Sequence, residues 1–255
     1  MQDDSPLGRA VGMVADLRAR CPWDRVQTRE TLRPYLIEEA HELAAALGAD
    51  DAAAIRDEVG DLMLHLAWQL VIGAERDEFA PAEIADDLVS KMQRRHPQLF
   101  DIGPGERWEH LKARERAPDR GTLDGIPDSL PELLAAYRLQ ERAAGVGFDW
   151  PDINGPIAKV REELDEVTAE LDATGPERHE RLTAEIGDLL FAVVNLARKA
   201  GVQPGTALER SNSTFRTRFA GVERLARERG IVMTDATLEE LDELWDEVKR
   251  KGLRG

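Results

Sequence analysis

The sequence predicts an all-α protein made of two repeated, antiparallel helical-bundle domains. Three observations predict it. The 255 residues are 42% apolar and 33% charged but only 5% aromatic, with Ala, Leu, Glu and Arg abundant, a mix that favours helix. Apolar residues recur at helical spacing, and no convincing alternating strand pattern is found. One block also occurs twice. "EVGDLMLHLAW" (58–68) and "EIGDLLFAVVN" (185–195) share Glu, Gly, Asp and Leu in register and exchange one apolar residue for another at most other places.

The elements follow in order. "TLRPYLIEEAHELAAALG" (31–48) sets Leu36, Leu43 and Leu47 at helical spacing, with Gly48 as its expected cap. Residues 51–75 read as a long, nearly buried helix, and 80–97 as a third that Pro97 stops. Residues 101–131 are rich in Gly and Pro and read as a linker, interrupted by a short helix around Trp108–Arg116. Helices resume at 132–145, 155–175, 178–201, 204–230 and 237–251. The expected division is a first helical domain over 1–100, a linker over 101–131 and a second helical domain over 132–255, the main working unit. The repeat supports this division. "EEAHE" (38–42) precedes "EVGD" (58–61) as "EELDE" (162–166) precedes "EIGD" (185–188), so the copies lie 124 residues apart at the first block and 127 at the second. An aromatic–Asp pair precedes each copy, Trp23-Asp24 and Phe148-Asp149.

Bulk properties exclude several classes. A net charge of −16 argues against binding a nucleic-acid polymer, which needs a basic stripe against phosphate. Cys21 is the only cysteine, so neither an intramolecular disulfide framework nor a Cys-based zinc site is expected. The first residues lack a basic region followed by an apolar run, and no apolar stretch approaches the length of a membrane span. A soluble, cytoplasmic protein with no membrane partner is expected.

The carboxylates carry the chemistry. Glu162 and Glu166 are i and i+4, Glu163 and Glu166 are i and i+3, and Glu185 and Asp188 are i and i+3 on the next helix. Such pairs share a helix face, and a short loop makes the two helices antiparallel neighbours. Four or five carboxylates can thus be aimed at one spot. Like charges at that density destabilise a fold unless a cation sits among them, and oxygen ligands without His or Cys suit Mg²⁺, with Mn²⁺ the alternative. Because Mg²⁺ usually keeps waters and takes phosphate oxygens, such a cluster points to a phosphorylated substrate. A lone E-E-x-x-E in a chain so rich in charge is ordinarily a solvated helix face. The E-x-x-D that opens a mostly apolar helix, and the repetition of the whole pattern, weigh against that reading. A di-iron bundle would need Glu-x-x-His motifs; the third residue after Glu163 is Glu166 and after Glu185 is Asp188.

In these residues and several further motifs, the chain resembles the MazG-type nucleoside triphosphate pyrophosphohydrolases in their two-domain form. "CPWDRVQT" (21–28), "RRHPQLF" (94–100), "LDGIPDSLPELL" (123–134) and "VGFDWPDI" (146–153) look like family signatures, beside both carboxylate sets. The resemblance implies the all-α NTP pyrophosphatase fold, homodimers or higher assemblies, and Mg²⁺. It implies hydrolysis of nucleoside triphosphates between the α and β phosphates, giving monophosphate and pyrophosphate, with house-cleaning of ordinary or damaged nucleotides. Metal ligands are then expected from Glu162, Glu163, Glu166, Glu185 and Asp188, with Glu162 or Glu163 as the base. Glu38, Glu39, Glu42, Glu58 and Asp61 form the matching set of the first copy.

The copies differ beyond the acids. At 100° per residue, Asn195 lies about −20° and Lys199 about +20° from Asp188, so Glu185, Asp188, Asn195 and Lys199 form one polar stripe toward a nucleotide. The matching stripe of the first copy runs Glu58, Asp61, His65, Trp68, Ile72 and turns apolar beyond His65. Catalysis is therefore expected in the second copy. "SNSTFRTRF" (211–219) resembles a family segment N-x-K-F-x-x-R-F, which implies a phosphate role for Arg218; Thr214 stands where the family has Lys, and Arg216 points about 200° away from it. Trp245 matches a family Trp near the nucleotide. Lys91, Arg94 and Arg95 offer the first copy some phosphate-binding ability. Two other readings stay open: a non-catalytic helical dimerisation or regulatory module, which Thr214 makes conceivable, and a narrower pyrophosphatase for a pyrimidine or modified nucleotide.

Overall fold

A computed structural model describes residues 5–105 and 121–252. It divides into two compact units, Met1–Gly105 and Glu106–Gly255. Among the described residues it is all-helical. The short helix expected around Trp108–Arg116 lies outside them.

The first unit holds α1 (Pro6–Arg20), α2 (Pro22–Arg25), α3 (Arg29–Ala49), α4 (Ala52–Glu75), α5 (Pro81–Arg95) and a single 3-10 turn, Pro97–Leu99. Sequence reading assigned no helix to residues 6–20, although the start signal is present. Ser5 accepts a hydrogen bond from Gly8 N at 3.0 Å and Pro6 opens the helix. Val14 then carries α1 onto α4. Thr28 caps α3 by a reciprocal exchange, Thr31 N to Thr28 Oγ1 at 3.2 Å and Thr28 N to Thr31 Oγ1 at 2.9 Å. Gly48, the expected cap, lies inside α3; the left-handed cap is Asp50, at φ 55°. An aspartate tolerates that conformation, and Asp51 at once caps α4 through Ala53 N and Ala54 N. This two-residue turn folds α3 and α4 into an antiparallel pair and brings Glu39 to Glu58 and Asp61. The core joins Val14, Leu32, Ala67, Trp68, Val71 and Ile72.

The second unit holds α6 (Glu132–Gly145), α7 (Asn154–Asp172), α8 (Arg178–Lys199), α9 (Pro204–Arg229) and α10 (Leu238–Arg250). Helices α7 and α8 pair as α3 and α4 do, α6 packs on α8, and α9 lies against α6, α8 and α10. Its buried core is Val222, Leu225, Ala226, Leu244 and Val248, where α9 meets α10. Gly230 ends α9 in the left-handed conformation, φ 68°. Every helix expected after residue 131 forms, with ends shifted by a few residues.

Candidate active site

The α7–α8 pair delivers the acids as their spacing requires. Carboxylate oxygens of Glu163, Glu185 and Asp188 lie within 4.8 Å of one another, and so do those of Glu162, Glu163 and Glu166. Glu163 belongs to both groups and is 4% exposed, so one buried carboxylate ties five acids into a single cluster. A buried carboxylate needs a compensating charge. Lys159, one turn earlier on α7, supplies it: its Nζ lies 2.5 Å from Glu163 Oε1 and 2.8 Å from Glu162 Oε1. Those two carboxylates hold the Lys159 ammonium well above its ordinary pKa. Glu166 is pushed up in turn, first by its hydrogen bond with Glu163, then by desolvation and the charges of Glu163 and Glu185. The oxygen-only donor set, crowded around one buried member, fits a hard divalent cation.

In the first unit Glu39, Glu58 and Asp61 come within the same 4.8 Å. Glu39 is raised by desolvation and then by Asp61, Glu42 and Glu38; Glu58 is raised by desolvation and then by Glu42, Glu39, Asp61 and Asp57. Glu38 and Glu42 thus act on the cluster electrostatically. Among the described residues, no lysine ion pair comparable to that of Lys159 is formed there.

Beyond the acids the copies diverge. In the second unit a cavity of ≈ 620 Å³ opens between α6, α8 and the 146–150 loop, lined by Leu123, Phe148, Trp150, Phe191, Asn195 and Arg198 among others. Asp149 fastens the loop to α8. It accepts from Arg198 Nη2 at 2.5 Å and from Lys199 Nζ at 3.0 Å, and Lys199 also donates to the Trp150 carbonyl. Burial pushes the Asp149 carboxyl up, but the two cations more than reverse this and hold it at about 2. Arg198 Nη2 donates to Asn195 Oδ1 at 2.7 Å as well. On the other wall Gln140 donates to the Phe191 carbonyl at 2.8 Å, and its own Oε1 is buried with no hydrogen-bond partner. Gly155 completes the setting: a Cβ there would stand 2.4 Å from the Trp150 ring, so only glycine lets the indole lie over the start of α7.

In the first unit this space is filled. Trp68, the counterpart of Asn195, is 3% exposed, edge-on to Trp23 at 6.5 Å and beneath the Arg18 guanidinium at 5.3 Å. Val71 and Ile72 replace Arg198 and Lys199 and join the core. The cation near Asp24 comes instead from α1: Arg18 donates to the carbonyls of Asp24 and Gln27 and pairs with Glu75 at 2.6 Å. His65 is buried, its Nδ1 without a partner, and desolvation lowers its pKa against the opposing pull of Asp61.

The remaining residues expected at the substrate lie elsewhere in the second unit. Arg218 and Trp245 line a separate cleft of ≈ 630 Å³ between α9 and α10, with the guanidinium 5.9 Å from the indole centroid. Thr214 lines it too; Arg216 does not. Asn195 is thus at the aromatic cavity, Arg218 and Trp245 at the cleft, and Lys199 in the fastening between α8 and the loop.

A family model described as the MazG nucleotide pyrophosphohydrolase domain matches residues 27–100. The chain is 40% identical over 240 residues to a nucleoside triphosphate pyrophosphohydrolase of Escherichia coli (strain K12), covering 91% of each chain. It is 39% identical over 233 residues to a nucleoside triphosphate pyrophosphohydrolase/pyrophosphatase MazG of Thermotoga maritima, covering 90% of this chain and 89% of the relative. The chain belongs to the MazG nucleotide pyrophosphohydrolase family. The family model falls on the first copy, with Glu38, Glu39, Glu42, Glu58 and Asp61, whereas the two relatives span both units. Sequence reasoning missed Lys159 and the Asp149 fastening as parts of the candidate site. Lys159 carried a signal as the i−4 neighbour of Glu163, and Asp149 as half of the repeated aromatic–Asp pair.

Proposed function

We propose that this MazG-family hydrolase cleaves nucleoside triphosphates between the α and β phosphates, releasing monophosphate and pyrophosphate, in its second unit and with Mg²⁺. The observation that carries the reading is the shared buried Glu163, which gathers Glu162, Glu166, Glu185 and Asp188 into one oxygen-only cluster. The metal, Mg²⁺ or alternatively Mn²⁺, would draw its ligands from these five, and when bound it would neutralise phosphate charge and lower the pKa of an attacking water. Glu162 is the better-placed base, because it faces solvent while Glu163 is enclosed in both groups. Lys159, which pairs with Glu162 and Glu163, would have to yield those carboxylates to a bound metal. The aromatic cavity takes the nucleoside, whose base stacks on Phe148, Trp150 or Phe191 while Asn195 meets a polar edge. Trp68 closes the matching space in the first copy, which leaves that copy metal-binding but unable to seat a nucleoside. The protein works in the cytoplasm as a homodimer or larger homo-oligomer on ordinary or damaged nucleotides. Among the described residues no helix is long and apolar enough to cross a membrane.

Product analysis tests the reaction. The full chain incubated with Mg²⁺ and a panel of nucleoside triphosphates is expected to release pyrophosphate; orthophosphate alone would defeat α–β cleavage, and no turnover would favour a binding module. Glu166→Ala is expected to lower kcat about a hundred-fold or more, as loss of a metal ligand does, and Glu42→Ala far less. Equal losses would move catalysis out of the second copy alone.

A further inference from the structure

The cleft between α9 and α10 carries a feature that the metal cluster does not use. Residues 206, 207, 210, 211, 214, 215 and 218 of its wall follow the helical repeat of α9, so Arg210, Thr214 and Arg218 wind gradually along one side at i, i+4 and i+8. Trp245 of α10 closes the opposite side, and Phe215 lies 5.4 Å from its ring. Arg218 is held by the indole, and its Nε is buried with no hydrogen-bond partner. A buried guanidinium donor without an acceptor is a place where an anion is missing a partner. Arg210 is exposed and makes no ion pair among the described residues. In an acidic chain, with a net charge of −16, two arginines facing one cleft with no carboxylate between them form a local positive site.

We propose that Arg210 is a second phosphate anchor of the substrate, so that the polyphosphate tail lies along α9 between Arg218 and Arg210 and passes over the small Thr214. The Cα atoms of the two arginines are about 12 Å apart along the helix and about 80° apart around it. Two guanidinium side chains bending toward each other across that span can each offer a fork to adjacent phosphate oxygens, which a single lysine at 214 could not do. Position 216, which is nearer in sequence, has no part in this because it faces away from the cleft. The inference rests on the pyrophosphohydrolase reading for its substrate but not for its binding site.

The test uses the full chain in four forms: wild type, Arg210→Ala, Arg216→Ala and Arg210→Ala with Thr214→Lys. For the nucleotide turned over best, Arg210→Ala is expected to raise KM about ten-fold while kcat stays within about two-fold, the signature of lost binding shared by ground and transition states. Inhibition by pyrophosphate should weaken by a similar factor, and inhibition by the nucleoside monophosphate should not change, because the monophosphate lacks the outer phosphates. Arg216→Ala should behave as wild type, and Thr214→Lys should restore most of the affinity that Arg210→Ala loses. An unchanged KM and pyrophosphate inhibition in Arg210→Ala would overturn the proposal. So would equal weakening toward the monophosphate, which would mark general damage to the fold. If wild type turns over no nucleotide, the pyrophosphohydrolase reading fails on its own. Calorimetric titration with inorganic tripolyphosphate then decides about Arg210: about ten-fold weaker binding by Arg210→Ala supports the anchor, and equal binding by both proteins removes it.

Discussion

At the scale of single residues, Glu163 and Glu166 show how the cluster stores its requirement for a cation. Glu163 is buried, Glu166 shares a hydrogen bond with it, and Lys159 is the one cation that touches the pair among the described residues. The Glu166 pKa is raised in the folded chain, so folding favours its protonated form. Its contribution to stability is present below the ordinary carboxylate pKa and is lost as pH rises through the raised value; at neutral pH the charged form is a liability. A divalent cation reverses the sign, because it favours the ionised carboxylates that the bare fold disfavours. Thermal unfolding of wild type at pH 7 should therefore show a higher Tm with millimolar Mg²⁺ than with a chelator. Glu166→Gln should raise the Tm in chelator and lose most of the Mg²⁺ increment. A variant that kept the full increment would take Glu166 out of the ligand set. Legibility at this scale was uneven. The acids were read from spacing alone, since i, i+3 and i+4 fix a shared face whatever the tertiary structure. Whether Lys199 reaches a ligand or a neighbouring loop is decided by a tertiary contact with Asp149 that no local spacing encodes.

At the scale of elements, the Asp149 fastening decides whether the aromatic cavity exists. The loop carrying Phe148 and Trp150 has no regular structure of its own; Arg198 and Lys199 at the end of α8 hold it, and Gly155 at the start of α7 accepts the indole. The depression of Asp149 from 3.8 to about 2 makes the fastening stabilising in the folded chain, by an amount that solvent screening keeps modest because the residue is exposed. Because the folded pKa is lowered, this stability is present above pH 3.8 and is lost as pH falls toward 2. Asp149→Asn should be less stable than wild type at pH 6, measured by urea denaturation, with the difference vanishing near pH 2. It should also raise the nucleotide KM, as the loop leaves the cavity wall. Helix positions were otherwise well marked in the sequence. The exceptions have physical causes: α1 was overlooked although Ser5 and Pro6 announce it, and α3 ends at Asp50 because an aspartate adopted the left-handed turn that a nearby glycine was expected to make.

At the scale of the whole molecule, the second unit leaves apolar side chains of α7 and α8 exposed. Ile186, Leu190 and Val193 on α8 are exposed at i, i+4 and i+7, and Leu164 and Leu171 repeat the pattern on α7. A single exposed leucine needs no explanation, but stripes on two packed helices beside the acidic cluster mark a contact surface. The residue changes at the repeat support a second copy of this chain as its cover: the acids and the apolar positions between them are kept in both halves, while the cavity is opened in only one. A helix packed on its symmetry mate through such a stripe is self-complementary, as a two-fold dimer requires. The wild-type chain should therefore elute and scatter light as a dimer or a larger assembly. Leu190→Glu, which places a charge in the middle of the stripe without touching the core of either unit, should shift it toward the monomer. At 100° per residue the stripe lies more than 100° around α8 from the midline of Glu185 and Asp188, so the acids keep a face of their own when the stripe is uncovered. Leu190→Glu should therefore keep most of its activity per chain as the protein is diluted, because the acidic cluster lies within one unit. Activity per chain that fell on dilution would show that the copies work only together.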